Sequence, residues 1–254
     1  MIGHPGTSTF AFILAFSVFA THSRAEDCSA ATQAGAECKC KLSDLRPLQG
    51  AIGLAEVKIK ADDIRKDPDG EWKHLKKDPI KIVRGPGGKF YVTDHHHGAR
   101  AWMEAGKSNG EGACLLQCDL SSLGPDKFWG ALKDHRLARL KDKDGKDIQP
   151  RDLPTSIGDL PDDPYRSLAY FVREKHGICR SLMKQKEFAE FEWADWFRGK
   201  GDPPAAKVEA APDSFVDTAK NLAAQSPSDR PDGFLSPGAI CPKEEKVDLK
   251  CPSP

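Results

Sequence analysis

The cysteines constrain the fold of this chain most, because they are even in number and all follow an apolar N-terminal segment. Residues 10–20 have the length and composition of a signal-peptide core, and Ser23 and Ala25 supply the small residues of a cleavage site before Glu26. An even cysteine count in an exported chain indicates disulfide bonds rather than catalytic thiols. We therefore expect a secreted or periplasmic protein. The eight cysteines are Cys28, Cys38, Cys40, Cys114, Cys118, Cys179, Cys241 and Cys251.

The sequence limits which cysteines pair without fixing the connectivity. Cys114 and Cys118 lie on one face of a predicted strand, so each is expected to reach a distant partner. Cys241 and Cys251 lie in a segment with few core-forming residues, which they are expected to attach to the rest of the fold. The Cys-x-Cys spacing at residues 38–40 lacks a matching second pair, which argues against a zinc site.

Charge excludes a broad electrostatic attraction to nucleic acid. Lys and Arg number 38, and Asp and Glu also number 38, so the formal net charge is zero. A chain without a basic field must bind any polyanion locally. The apolar segment at residues 10–20 is too short to span a bilayer, so no membrane span is expected after its removal.

The apolar pattern divides the chain into four parts. We expect a signal peptide at residues 1–25, a cysteine-bearing arm at 26–48, a core domain at 49–200 and a proline-rich, otherwise extended tail at 201–254. Strands are expected mostly before helices within the core, so the predicted fold class is α+β.

Local patterns predict the individual elements. Strands are expected at residues 56–60, 79–84, 89–93 and 113–120, with the second and third forming a hairpin around the glycine-rich turn 85–88. Helices are expected at residues 100–105, 125–140, 162–173, 185–198 and 213–224, and residues 62–66 are expected to form a single helical turn.

Asp94, His95, His96 and His97 follow a predicted strand and precede a predicted helix. Free backbone N–H groups and the positive end of the helix dipole make such a turn suitable for phosphate. Histidine can move protons or bind metal near neutral pH. The turn therefore predicts chemistry on a phosphorylated substrate.

Four residues at or near this turn have predicted roles. His96 or His97 is the expected general acid or base. Asp94 is expected either to orient an imidazole or bind a metal, or else to cap the helix by accepting N–H groups of its first turn. Arg100 is expected to hold phosphate through paired N–H bonds, unless it is a surface cation.

Two residues of later helices are further candidates. Arg166 could line the phosphate pocket or form a structural ion pair. Glu190, in an aromatic-rich helix, could be a ligand of a divalent metal such as Mg²⁺ or Mn²⁺, together with Asp94, or could lie on a solvated face.

Four stretches together resemble the ParB-like nuclease family, a branch of the ParB/sulfiredoxin fold. They are residues 79–84 with the glycine-rich turn, Tyr-Val-Thr-Asp-x-His-His at 91–97, Asp-Pro-Tyr-Arg-Ser-Leu-Ala at 163–169, and Glu-Phe-Ala-Glu-Phe-Glu-Trp-Ala-Asp-Trp-Phe-Arg at 187–198. The resemblance covers residues 50–199. It implies a small mixed sheet with packed helices.

The resemblance also implies where phosphate binds. Relatives in this fold bind a nucleotide or another phosphate where a strand passes into a helix, at a Gly-Glu-Arg-Arg or Gly-Cys-His-Arg box. The matching positions here are His95, His96, His97 and Gly98, so His95 and Gly98 are expected to contact phosphate. His95 stands where glycine is usual and Gly98 where arginine is usual, and Arg100 is the expected replacement cation.

The resulting prediction is a secreted ParB-like nuclease that hydrolyses a phosphodiester in a phosphorylated substrate or a locally bound nucleic acid. The expected cofactor is a divalent metal. Two alternatives remain open. One is a nucleotide-binding protein or small-molecule kinase of the same fold, and the other is a non-enzymatic binding module.

Overall fold

A computed structural model describes residues 26–184, 187–201, 203–243 and 251 of the chain. One mixed sheet contains its five strands: β1 (Glu37–Lys41), β2 (Arg46–Pro47), β3 (Ile80–Arg84), β4 (Phe90–Asp94) and β5 (Glu111–Asp119). Their order is β1-β5-β3-β4-β2. β3 is parallel to β5 and β2 is parallel to β4, while the other neighbours are antiparallel. The predicted signal peptide lies outside the described residues.

Eight helices complete the described part of the chain. They are α1 (Leu54–Lys66), α2 (Pro68–Lys77), α3 (His96–Ala105), α4 (Pro125–Asp134), α5 (Pro164–Glu174), α6 (Ala189–Lys200), α7 (Ala205–Ala210) and α8 (Val216–Gln225). The predicted α+β class is confirmed. The predicted hairpin is confirmed as β3 and β4, and Gly87 and Gly88 take positive φ angles of 69° and 71° in its turn.

Three hydrophobic clusters hold these elements together. α1 and α3 pack on one face of the sheet, where Ile82 and Leu116 are buried. On the other face, Phe128 and Leu132 of α4 pack with Val83. α5, α6, α7 and α8 share a third cluster around Trp193. α1 connects two of these clusters, because it contacts both α3 and α5.

The strand predicted at residues 56–60 is wrong, since these residues belong to α1. Val57, Ala61 and Ile64 are all buried along one face of this helix, whereas Ile59 is 37% exposed. Helical spacing therefore overrides the short alternation of polar and apolar residues. The turn predicted at residues 62–66 is the end of the same helix, and α2 was not predicted.

Three other helices differ from expectation at their ends. α3 begins at His96 rather than at residue 100. α4 ends at Asp134 rather than at residue 140, because the chain turns at Arg136, which has φ 55°. α6 begins at Ala189, and residues 185–186 of its predicted start lie outside the described residues. α5 begins as predicted, with the Asp163 carboxylate accepting the N–H groups of residues 165 and 166.

Four disulfides join the described cysteines. They are Cys28–Cys38, Cys40–Cys114, Cys118–Cys251 and Cys179–Cys241. The distant partners expected for Cys114 and Cys118 are confirmed, as is the attachment of the tail through Cys241 and Cys251. The expectation of an otherwise extended tail is wrong for α7, which packs against α5. Within the described residues, no helix has both the length and the apolar character needed to cross a membrane.

Candidate functional site at the start of α3

His95 links β4 to α3 in a left-handed backbone conformation, with φ 71° and ψ 28°. The Asp94 carboxylate accepts the N–H of His95 at 2.8 Å and pairs with Lys81 at 3.0 Å. Asp94 therefore braces the residue before the helix and does not cap the first turn as predicted. Burial alone would raise the pKa of Asp94, but the attraction of His95 and Lys81 holds that pKa well below its usual range.

The imidazole of His95 lies at the rim of the turn. Its Nε2 is 3.2 Å from a carboxylate oxygen of Asp78, and its Nδ1 is 3.7 Å from Asp94. Its side chain is 26% exposed, more than the side chain of His97. Among the three consecutive histidines, His95 is therefore the one most accessible to a solute.

His96 is buried and serves as a hydrogen-bond acceptor for the backbone. Its Nε2 accepts the N–H of Leu48 at 3.2 Å, and it also forms a backbone hydrogen bond with Val92. Burial lowers the pKa of His96 to about 3, so the ring is neutral at pH 7. The bond from Leu48 holds neighbouring backbone, which makes His96 a positioning residue in this structure.

His97 is buried as well, but it meets side-chain charge. Its Nε2 accepts the N–H of Gly53 at 3.1 Å and lies 3.5 Å from Oε2 of Glu56. Burial lowers the pKa of His97 well below its usual value even though Glu56 attracts a proton to the ring. His97 is therefore a neutral imidazole beside a carboxylate.

Glu56, His97, Arg166 and Glu190 form a buried charge cluster between α1, α3, α5 and α6. Glu56 pairs with Arg166 at 3.0 Å through Oε2 and with Lys60 at 2.7 Å through Oε1. Burial alone would raise the pKa of Glu56, but His97, Arg166 and Lys60 hold that pKa well below its usual range. Buried ion pairs contribute little net stability, so such a cluster is a candidate for function.

Arg166 retains a donor that the protein does not use. Its Nε is buried and has no hydrogen-bond partner among the described residues, although Nη1 pairs with Glu56. Its guanidinium lies 5.3 Å from the ring centre of Phe191. The prediction that Arg166 forms an ion pair is confirmed, and the unpartnered Nε leaves its predicted phosphate role open.

Arg100 contacts protein groups and not the turn. Its Nε pairs with Glu104 at 2.8 Å, and Nη1 donates to the carbonyls of Ile157 and Gly158. These bonds hold the segment at residues 157–159 against α3. A Cβ added to Gly98 would meet nothing within 4 Å, so the absence of a side chain there leaves open space beside the helix.

The two residues predicted to bind a divalent metal each pair with a cation of the protein. Asp94 is paired with Lys81, and Glu190 is paired with Arg173 at 3.2 Å, so a cation of the protein already neutralises each carboxylate. Among the described residues, Cys28, Cys40 and Cys114 are the three potential metal ligands that lie close together. All three are in disulfides.

Sequence reasoning missed Glu56 and Lys60, which complete the surroundings of His97. Their signal was the spacing of four residues between opposite charges, which places both on one side of a helix. The strand predicted at residues 56–60 hid that signal, because an extended strand would separate residues 56 and 60 by about 13 Å, too far for an ion pair.

Comparison with known proteins supports the fold that the geometry shows. The family model described as Putative ParB-like nuclease matches residues 38–199. This chain belongs to that family. The structure of protein Atu1540 from Agrobacterium tumefaciens is similar to this member of the ParB-like nuclease family, with a TM-score of 0.67 and 28% sequence identity, over 79% of this chain and 98% of that chain.

A second solved structure is a more distant match to this ParB-like nuclease family member. It is the C-terminally truncated chromosome-partitioning protein ParB from Caulobacter crescentus, complexed with CTP-gamma-S. Its TM-score is 0.27 at 11% identity, over 73% of this chain and 99% of that chain. No curated protein matches the chain.

Proposed function

We propose that this chain is an exported phosphodiesterase that acts on a phosphorylated substrate or on single-stranded nucleic acid at the start of α3. The single observation that carries the proposal is the unpartnered Nε of Arg166 inside the buried charge cluster. A buried donor without a partner costs stability, and a phosphate oxygen is the kind of acceptor that would satisfy it. Family membership supports the same class of ligand.

His97 is the proposed acid or base of the reaction. It is the imidazole that has both a carboxylate, Glu56, and a cation, Arg166, in its surroundings. Glu56 would stabilise the ring once Nε2 carries a proton, and Arg166 would stabilise negative charge on the phosphate. Nε2 of His97 is bonded to the N–H of Gly53, so this bond must open before the ring can exchange a proton.

Export is part of the proposal. Four disulfides persist in an oxidising compartment, which agrees with the apolar segment at residues 10–20 and with the cleavage site expected before Glu26. The phosphorylated ligand would then be extracellular or periplasmic, where ATP is scarce, and this favours ester hydrolysis over a kinase reaction.

The test is hydrolysis of bis(p-nitrophenyl) phosphate and of a single-stranded oligonucleotide by the disulfide-bonded protein, with and without added Mg²⁺ or Mn²⁺. We expect turnover by the wild type and a loss of about 100-fold or more in His97→Gln, because general acid–base groups contribute roughly that much. His74→Gln, on the exposed side of α2, is the matched control and should keep full activity.

Circular dichroism and thermal unfolding of each variant separate a lost activity from a lost fold. A folded His97→Gln protein with unchanged turnover, or a wild type no faster than buffer, would contradict the proposal. Binding of phosphate without turnover would instead favour a non-enzymatic binding module, for which the inward orientation of His96 and His97 is the supporting observation.

A further inference from the structure

A cavity of about 330 Å³ opens between the end of α4 and the beginning of α6. None of the residues predicted to bind phosphate lines it. Four of its lining residues are cations, namely Lys133, Arg136, Arg139 and Lys141. Three carboxylates also line it, namely Glu187, Glu192 and Asp195. Whether the cavity can bind an anion therefore depends on which cations these carboxylates already pair with.

Arg139 is the buried member of this set, with a side chain that is 7% exposed. Its guanidinium lies over the ring of Phe191 at 4.2 Å, and Nη2 binds both carboxylate oxygens of Asp195 at 2.8 and 3.0 Å. Nη1 has no hydrogen-bond partner among the described residues. The arginine is thus held in place by one half of its fork while the other half keeps unused donors.

Asp195 is shared between three cations and cannot neutralise them all. It accepts from Arg139, from Lys141 at 3.1 Å and from Arg198 at 2.6 Å. Arg198 also pairs with the carboxylate of Asp163. The wall of the cavity formed by Arg139 and Lys141 therefore retains positive charge after its ion pairs are formed.

Lys133 and Arg136 add charge at the exposed mouth. Neither forms a salt bridge with another described residue. Arg136 adopts φ 55°, and Phe188, which also lines the cavity, adopts φ 56°. Residues other than glycine rarely take this left-handed backbone conformation. The backbone at both lining residues is therefore strained.

The two glutamates oppose this charge only in part. Burial raises the pKa of Glu192, and the attraction of Arg136 offsets only part of this rise. Glu187 and Glu192 form no salt bridge within the described ranges, so neither occupies the donors of Arg139.

We propose that this cavity is a second anion site that takes a phosphate monoester with a planar organic group. Nη1 of Arg139 and the side chains of Arg136 and Lys133 would hold the phosphate, because guanidinium donors match phosphate oxygens. The ring of Phe188 would flank the organic group. The site goes beyond the proposed hydrolysis and does not require it, since it shares no residue with the buried charge cluster.

The experiment is isothermal titration calorimetry of the disulfide-bonded full chain with phenyl phosphate and with inorganic phosphate at low ionic strength. We expect phenyl phosphate to bind more tightly than inorganic phosphate. Arg136→Gly suits the left-handed backbone and should weaken phenyl phosphate binding about tenfold or more, and Lys133→Gln should weaken it severalfold. Lys127→Gln, at the opposite end of α4, is the matched control and should bind as the wild type does.

Three outcomes would overturn the proposal. They are the absence of binding heat in the wild type, equal affinity of Arg136→Gly and the wild type, and loss of binding in His97→Gln, which would assign the phosphate to the start of α3. Hydrolytic activity is measured separately, so failure of the hydrolysis experiment would leave a positive result here intact.

Discussion

His95 occupies a backbone conformation that suits glycine better than histidine, and it stands at the position where the family resemblance implies glycine. A non-glycine residue in the left-handed region costs about 1–2 kcal/mol. The side chain recovers part of this cost through its contacts with Asp78 and Asp94. Because both contacts are at the partly exposed rim, they contribute little to stability.

We predict that His95→Gly unfolds at a higher urea concentration than His95→Ala, with a difference of about 1 kcal/mol in the free energy of unfolding. Both variants lose the imidazole, and only the glycine relieves the backbone. Equal stability of the two variants would show that φ at residue 95 carries no strain. Equilibrium urea denaturation followed by tryptophan fluorescence is the measurement.

α3 is held against the loop at residues 48–53 by its two buried imidazoles. Leu48 and Gly53 donate their N–H groups to His96 and His97. The same loop supports the start of α5, since Ile52 exchanges backbone hydrogen bonds with Pro161 and Asp163. The neutral form of each ring therefore couples α3, the loop and α5, because a protonated Nε2 could not accept these bonds.

The pH dependence of stability follows from this coupling. His96 has a pKa of about 3 in the folded chain and about 6.5 when unfolded, so the unfolded state binds more protons between these values. Stability is full above pH 6.5 and falls as the pH decreases. Lowering the pH from 7.0 to 5.0 should cost about 2 kcal/mol through His96. His97 adds a loss of the same sign.

Urea unfolding at pH 7.0, 6.0 and 5.0 measures this effect. His96→Gln should show a shallower pH dependence than the wild type, and His74→Gln, on the exposed side of α2, should keep the full dependence. Glu56 and Asp94, whose pKa values are lowered, lose their contributions only below about pH 4.5, outside this range. An unchanged dependence in His96→Gln would mean that its ring is not held neutral by folding.

Sequence patterns predicted the elements whose signals are local. The β3–β4 hairpin was found from its glycine-rich turn, and α5 was found from Asp163 and Pro164. The pattern at residues 56–60 predicts a strand in place of α1, because its alternation covers only five residues. The spacing of Val57, Ala61 and Ile64 over a longer window is helical. Short apolar alternation does not distinguish a strand from a helix, and the longer window decides.

The candidate site was predictable in its location but not in the direction of its side chains. Strand, turn and helix follow from residues near Asp94. Whether His96 and His97 face solvent depends on the loop at residues 48–53, which arrives from a distant part of the sequence. The pairing of Glu56 with Arg166 likewise joins residues that are far apart in the chain. Tertiary contacts of this kind leave no local pattern.

At the scale of the whole molecule, the segment after residue 200 is part of the folded structure. Val208, Val216 and Ala219 are buried in the cluster formed with α5 and α6. The hydroxyl of Tyr165 donates to the carbonyl of Pro203 at 2.8 Å. Removing this segment would expose the face of α5 that the segment covers. The packing of the segment should therefore contribute more to the free energy of unfolding than the two disulfides that attach it.

Deletion of residues 202–254 tests this point. The truncated chain is compared with a full-length control that also lacks the two disulfides of this segment, so that only the packing differs. The control is the full chain with all four cysteines of these bridges replaced by serine, namely Cys118→Ser, Cys179→Ser, Cys241→Ser and Cys251→Ser. Each lost bridge should cost about 2–4 kcal/mol, so the control should melt at a lower temperature than the wild type.

The truncated chain, with Cys118→Ser and Cys179→Ser, should lose cooperative unfolding altogether. Each buried valine contributes roughly 1.5–3 kcal/mol, and together with the exposed face of α5 this approaches the whole stability of a typical domain. Calorimetry compares the two proteins. If the truncated chain melted at the temperature of the control, α7 and α8 would be attachments held only by their bridges, because packing against α5 would then add nothing to the fold.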